Sequence, residues 1–124
     1  MIITSRHNPV VKLYASLKDK KGRISAGGYL IEGEKQVFEA VKSGKNVLSV
    51  MGKARLVSSY EGKVPAVYEV TDDICRFVAD SVTPQGIFAL VAFPQFKAKS
   101  SGNIVLLDGV SDPGNVGTII RTCA

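Results

Sequence analysis

A layered α/β domain is predicted by three features of this 124-residue chain. Apolar segments of strand length alternate with stretches of helical periodicity. Residues 87–93, IFALVAF, form an unbroken apolar run, the pattern of a strand covered on both faces. Glycines and N-capping residues stand where one pattern gives way to the next.

Residues 8–21, NPVVKLYASLKDKK, predict one amphipathic helix. Asn8 is placed to cap it, Pro9 suits the first helical position, and Val10, Leu13, Tyr14 and Leu17 recur at helical spacing. Gly22 offers a stop, so Lys18, Lys20, Lys21 and Arg23 gather near the carboxyl end of the helix, with Lys12 on its outer face. After Gly27 and Gly28, YLIEG reads as a strand. EKQVFEAVKSG reads as a helix with Val37, Phe38 and Val41 inward and Gly44 at its end. VLSVMG and AVYEV are the next strands, and Thr71 caps a helix in TDDICRFVADSV, whose Asp72 and Asp73 suit the positive end of the helix dipole. Pro84 and Gly86 set a turn before the last strand, residues 87–93. Glu32 is placed to pack or to cap the next helix, with pairing to a base as the other reading.

Residues 94–103, PQFKAKSSGN, have linker composition, and IVLLD from Ile104 restarts a buried-strand pattern. The organisation expected is therefore a domain over residues 1–93, a linker over 94–103, and the first strand and helix of a second unit over 104–124.

Charge is divided unevenly along the chain. Residues 1–63 carry 12 Lys/Arg against 5 Asp/Glu, a net +7, while residues 64–124 carry 4 against 6, a net −2. A polyanion is the natural partner of the basic half, since each neutralised phosphate releases counterions; a lysine-rich solvated surface accounts for the same count. Cys75 and Cys123 are far apart and His7 is the only histidine, so metal-ligand spacing is lacking and buried free thiols are expected. No apolar run of membrane-spanning length and no secretory leader pattern occurs, which predicts a cytoplasmic protein with no membrane partner.

The last stretch, IVLLDGVSDPGNVGTIIRTCA, places Asp108 at the carboxyl end of a strand, where ligands of open α/β sheets bind. Pro113 and Gly114 suit the centre of a type II turn, after which Asn115 is placed to cap a helix. Val116, Ile119, Ile120 and Cys123 form its inward stripe. Arg121 falls off that stripe, one turn after Gly117, where it can reach back toward the loop. The glycines at 109, 114 and 117 do not fit the dinucleotide fingerprint, and Asn115 and Val116 stand where a P-loop needs Lys and Ser/Thr. A plain strand-turn-helix is compatible with the same residues.

DGVSDPGNVGTIIRTCA resembles the first motif of the SpoU/TrmH branch of the SPOUT RNA methyltransferases. The segments SRHNPVVKLYASLKDKKGR, YLIEGEKQVFEAV and TPQGIFALV are similar, in the same order, to that family's substrate-binding domain. The resemblance implies a three-layer-type α/β RNA-binding domain like those of ribosomal proteins, followed by the first strand and helix of a knotted, dimerising SPOUT domain. It implies methyl transfer from S-adenosylmethionine to a ribose 2′-hydroxyl, with ribosomal RNA as the expected partner and a homodimer as the expected assembly. Carried onto this sequence, the motif makes Asn115 and Arg121 the catalytic candidates. Arg121 is expected to grip the phosphate beside the target ribose rather than act as a base, because a guanidinium stays protonated. Asn115 would orient the loop or the ribose. Arg6, Asn8, Lys12, Lys20, Lys21 and Arg23 are the RNA-contact candidates. The family's later motifs, which build the cofactor pocket, are expected beyond Ala124, so residues 1–124 alone are expected to bind RNA without turnover. A stand-alone RNA-binding module is the alternative, and a nucleotide-binding α/β fragment is disfavoured by the P-loop mismatch.

Overall fold

The computed structural model describes residues 1–79, 81–97 and 101–124. Asp80, at the end of a predicted helix, and residues 98–100, inside the predicted linker, lie outside the described residues.

In chain order the elements are β1 (Ile2–Ile3), α1 (Pro9–Ser16), α2 (Lys20–Ala26), β2 (Gly28–Glu32), α3 (Glu34–Lys42) and β3 (Val47–Gly52). There follow α4 (Ala54–Val57), which runs into a 3-10 turn at Ser58–Tyr60, then β4 (Val67–Val70), α5 (Asp72–Ala79), β5 (Ile87–Ala92) and α6 (Pro113–Cys123). The strands form one sheet in the order β1-β4-β3-β5-β2. β4 runs parallel to β1 and β3, whereas β5 is antiparallel to both of its neighbours, β3 and β2.

Two apolar clusters, one on each face of this sheet, make the domain three-layered. On one face Val11, Tyr14 and Leu17 of the α1 region and Ile74, Cys75 and Val78 of α5 pack with Met51, Val70, Phe88 and Leu90. On the other, Val37 and Ala40 of α3, Val57 of α4 and Tyr60 pack with Val47, Val50, Ile87, Ala89 and Val91. Alternate residues of β5 thus enter opposite clusters, which is why residues 87–92 are apolar throughout. Burial on both faces sets that pattern; parallel pairing does not, since β5 is antiparallel on each side.

The pairing of β3 with β5 shifts register between Val47 and Ser49. An extra residue at that point lets Val47 and Val50 serve one cluster while Leu48 and Met51 serve the other. It also turns Ser49 toward Tyr14, whose hydroxyl lies 2.8 Å from the Ser49 hydroxyl inside the core.

Four readings of the amino-terminal half change. The helix predicted over residues 8–21 is two helices, because the amides of Leu17, Lys18 and Asp19 turn back three residues to Tyr14, Ala15 and Ser16 and end α1. Gly22 lies inside α2, where a Cβ would overlap the Ser16 carbonyl; the residue permits close backbone approach, and Gly27 at φ 68° ends the helix. The buried stripe of α1 is Val11 and Tyr14, with Leu13 left exposed, since the adjacent pair Val10-Val11 allows either phase. Phe38 is 54% exposed, and its place in the core of α3 is taken by Ala40.

Residues 104–108, where a strand is expected, pair with no strand among the described residues, and Ile104, Val105, Leu106 and Leu107 are all exposed. The five-stranded sheet does not take them up, and a strand lacks its ladder without a neighbour. No helix of the described residues is long and apolar enough to cross a membrane.

Candidate nucleic-acid interface

Asn8 caps α1 as its sequence position predicts, its Oδ1 accepting the Val10 amide at 2.9 Å with Pro9 at the first helical position. That bond uses one end of the side-chain amide. Arg6, just upstream, is held by Asp73 of α5: Nη2 donates to Oδ1 at 2.6 Å and Nε to Oδ2 at 3.0 Å. Its guanidinium also lies 5.1 Å from the centre of the Phe77 ring. The hydrogen bond to Asp73 raises the Arg6 pKa, and the same contact holds the Asp73 carboxyl below the usual carboxylate range.

Arg23 turns inward to a structural task. Its Nη1 donates to the carbonyls of Leu17 and Lys18 at 3.1 and 2.8 Å, filling acceptors that the end of α1 leaves open. Lys12, Lys20 and Lys21 are exposed, and none makes an ion pair among the described residues. Lys20 and Lys21 begin α2, at the positive end of its dipole, and do not end a single long helix as their sequence context suggests. Dipole stabilisation therefore does not account for them; two cations stand where the helix itself disfavours positive charge. Of the six RNA-contact candidates, Lys12, Lys20 and Lys21 present open ammonium groups, while Arg6, Asn8 and Arg23 are engaged within the fold.

Glu32 has a local role. Its carboxylate accepts the Gln85 amide at 2.8 Å, tying the end of β2 to the turn before β5, where Gly86 takes φ 85°.

At the carboxyl end the cap is displaced from the predicted position. Asp112, not Asn115, caps α6, its Oδ2 accepting the Asn115 amide at 2.9 Å, and Pro113 is the first helical residue. An Asp-Pro pair satisfies both the capping and the first-turn preference three residues earlier, and Gly114 is helical instead of being the positive-φ residue of a type II turn. The Asn115 side chain is thereby released from capping. Arg121 is exposed and makes no ion pair or side-chain hydrogen bond among the described residues. A position six residues from Asn115 is turned by about 120° around a helix, so the two side chains do not share a face of α6. Half-buried Val116 and Ile119 keep the predicted stripe, whereas Ile120 and Cys123 are exposed. Cys75 is buried, and burial pushes its thiol pKa up.

Sequence reasoning missed Arg76 and Phe77, which α5 brings beside Arg6. Their signal was present: both lie off the buried positions Ile74, Cys75 and Val78, so an aromatic ring and a cation share the outer side of an otherwise regular amphipathic helix.

The chain is similar to known proteins over most of its length. The family described as the MRM3-like substrate binding domain matches residues 8–89. The Bacillus subtilis 23S rRNA (guanosine(2553)-2'-O)-methyltransferase RlmP is 38% identical over 97% of this chain and 49% of its own length. Human mitochondrial rRNA methyltransferase 3 is 29% identical over 87% of this chain and 29% of its own. Among solved structures, an RNA 2'-O ribose methyltransferase superposes with a TM-score of 0.70 at 25% identity, covering 99% of this chain and 51% of that one. An AdoMet-bound rRNA methyltransferase from Sinorhizobium meliloti gives 0.67 at 25% identity, covering 99% and 50%. The chain thus spans about half the length of the bacterial relatives it matches. With the family match covering most of the layered domain, and a TrmH-family structure from Porphyromonas gingivalis among the solved structures it resembles at 29% identity and a TM-score of 0.66 over 91% of this chain and 46% of that one, the chain belongs to the MRM3-like substrate-binding domain family.

Proposed function

We propose that this chain is the RNA-binding domain, linker and first catalytic unit of an S-adenosylmethionine-dependent RNA 2′-O-ribose methyltransferase acting on ribosomal RNA. The division is residues 1–93, 94–103 and 104–124, and the whole enzyme is a homodimer. The observation that carries this reading is the state of Arg121. Its guanidinium is solvent-facing and tied to no carboxylate among the described residues, as a phosphate-gripping arginine must be. Lys12, Lys20 and Lys21 supply charge-based affinity for the RNA backbone, which positions a substrate without reading its bases.

S-adenosylmethionine supplies the methyl group when bound. The residues present do not fit it: in 104–124, Val105, Leu107, Ile119, Ile120 and Cys123 line an open hollow that offers an adenosyl group or an amino acid carboxylate no strong hydrogen-bonding side chain. The chemistry assigned to this chain is therefore limited to orientation. Arg121 holds the phosphate next to the target ribose, and Asn115, freed from capping, offers a carbonyl and an amide to the ribose or its loop.

The test is transfer of a tritiated methyl group from S-adenosylmethionine to ribosomal RNA by the whole protein that contains this chain. Arg121→Ala is expected to lower transfer by about 100-fold or more, in the range of a lost transition-state contact. Transfer at the unaltered rate would remove Arg121 from the site, and no transfer by the unaltered protein would overturn the function.

A further inference from the structure

Between the segment preceding α1 and the end of α5 lies a hollow of about 440 Å³, lined by Arg6, Lys18, Arg76, Phe77, Ser81 and Val82. Two cations converge on one aromatic ring, and a third, Arg76, lines the same hollow. Arg6 lies 5.1 Å and the Lys18 ammonium 5.7 Å from the centre of Phe77. Lys18 Nζ is fixed in place by donating to the Phe77 carbonyl at 2.9 Å, and Arg6 by its two bonds to Asp73. The described residues thus assemble three positive charges against one carboxylate, at a point where like charges repel unless something holds them. The ring face, a backbone carbonyl and Asp73 do the holding.

The donor inventory shows what the hollow lacks. Arg6 keeps Nη1 after its bonds to Asp73, Lys18 keeps two of its three N–H groups, and the Arg76 guanidinium makes no hydrogen bond or ion pair among the described residues. The Ser81 hydroxyl oxygen accepts the Thr83 amide, leaving its own proton to give. Among the described side chains that line the hollow, Arg6, Lys18, Arg76 and Ser81 all have donors left to give, and three of the four are charged. An anion with several acceptor oxygens satisfies such a set; a base edge, which alternates donors and acceptors, does not.

We propose that this hollow is a phosphodiester seat for RNA, with Arg76 and Lys18 as its principal contacts and Arg6 as the residue that fixes their shared wall. The inference rests on the RNA-binding function proposed above and adds a site on α5, apart from the lysines of α1 and α2. Because the contacts are to phosphate, the seat contributes affinity and salt sensitivity and no base preference.

The test is fluorescence anisotropy of a labelled, mixed-sequence 20-nucleotide single-stranded RNA titrated with the 124-residue chain between about 50 and 200 mM salt. Arg76→Glu is expected to weaken binding about 10-fold or more at the low-salt end. Arg76→Gln, which keeps the size of the side chain, is expected to weaken it about 3-fold and make the slope of log K against log salt shallower by about 0.7, the value for one single-strand phosphate contact. Lys63→Glu makes the same charge change beyond Tyr60, on the other side of the sheet, and is expected to cost less than about 2-fold. Circular dichroism confirms that each variant folds; if Arg76→Glu does not, the Gln variant decides. Equal losses for Arg76→Glu and Lys63→Glu, or a Gln variant with unchanged affinity and slope, would overturn the seat while leaving RNA binding intact. Failure of the unaltered chain to bind RNA would overturn both.

Discussion

Arg6 and Asp73, 67 residues apart in sequence, are joined by two hydrogen bonds of 2.6 and 3.0 Å that clamp the segment ahead of α1 to the first turn of α5. Asp73 is favoured twice, by the guanidinium and by the positive end of the α5 dipole. Its carboxyl is held below the ordinary range, chiefly by the hydrogen bond from Arg6.

The pH dependence follows from that direction. A carboxyl whose folded pKa is depressed contributes stability above its unfolded pKa, and the contribution is lost as pH falls through the folded value. Carbon-detected NMR titration is expected to place Asp73 below a solvated aspartate in the unaltered protein and to bring it back upward in Arg6→Ala. Identical titration curves in the two proteins would mean that the clamp does not persist in solution.

Tyr14 and Ser49 form the buried polar pair beneath α1, and burial pushes the phenol well above its usual pKa. Tyr14→Phe removes one partner and leaves the Ser49 hydroxyl enclosed, which is expected to cost about 1–3 kcal/mol. Urea denaturation should show a lower midpoint at an unchanged slope. The double variant Tyr14→Phe/Ser49→Ala removes both polar groups and should recover part of the loss. A double variant less stable than the sum of the singles would show that the pair is not the source of the effect.

The layered fold was legible because β5 is covered on both faces, an arrangement that writes itself as seven apolar residues in a row. Less legible was anything decided by one atom of space. Gly22 reads as a helix stop from its chemistry, yet it is needed because the Ser16 carbonyl comes too close for a Cβ. Phe38 reads as core from its hydropathy, yet the space between α3 and the sheet takes Ala40, and Phe38 instead lies under Lys42. Candidate site residues divided along the same line. The exposed lysines were legible from charge alone, whereas Arg23 and Arg6 found internal acceptors, at the end of α1 and on Asp73, that no local pattern announces.

Gly33 sits at φ 109° between β2 and α3, where a Cβ would overlap the side-chain oxygen of Gln85 and crowd that of Gln36. The Gln85 backbone is tied to Glu32, so relief of this overlap falls to the Gln85 side chain. Gly33→Ala is therefore expected to cost about 1–3 kcal/mol, the range for a residue forced into a sparsely populated backbone region. Gly62, at φ 76° with open space around its Cβ position, is the comparison. Gly62→Ala carries only the left-handed penalty of about 1 kcal/mol. Chemical denaturation of the two variants should rank Gly33→Ala as the more damaging, and a reversed order would show that the crowding at Gln85 is readily relieved.

Lys20 and Lys21 test stability and binding against each other. Both lie in the first turn of α2, which carries no acidic residue there, so each works against the helix dipole. Replacing both with serine removes that opposition and is expected to raise stability by about 0.3–1 kcal/mol per charge at low ionic strength, less the small helix-propensity cost of serine. If the same ammonium groups meet RNA phosphates, the double variant should also bind single-stranded RNA more weakly, with a salt slope shallower by about 1.4 for the two contacts. Thermal melting and an RNA titration on the same preparation read both quantities. A protein that gains stability while losing affinity keeps its lysines for binding. One that loses stability, or gains it with RNA affinity unchanged, has them for another reason, and the basic amino-terminal half would then owe its charge to solvation.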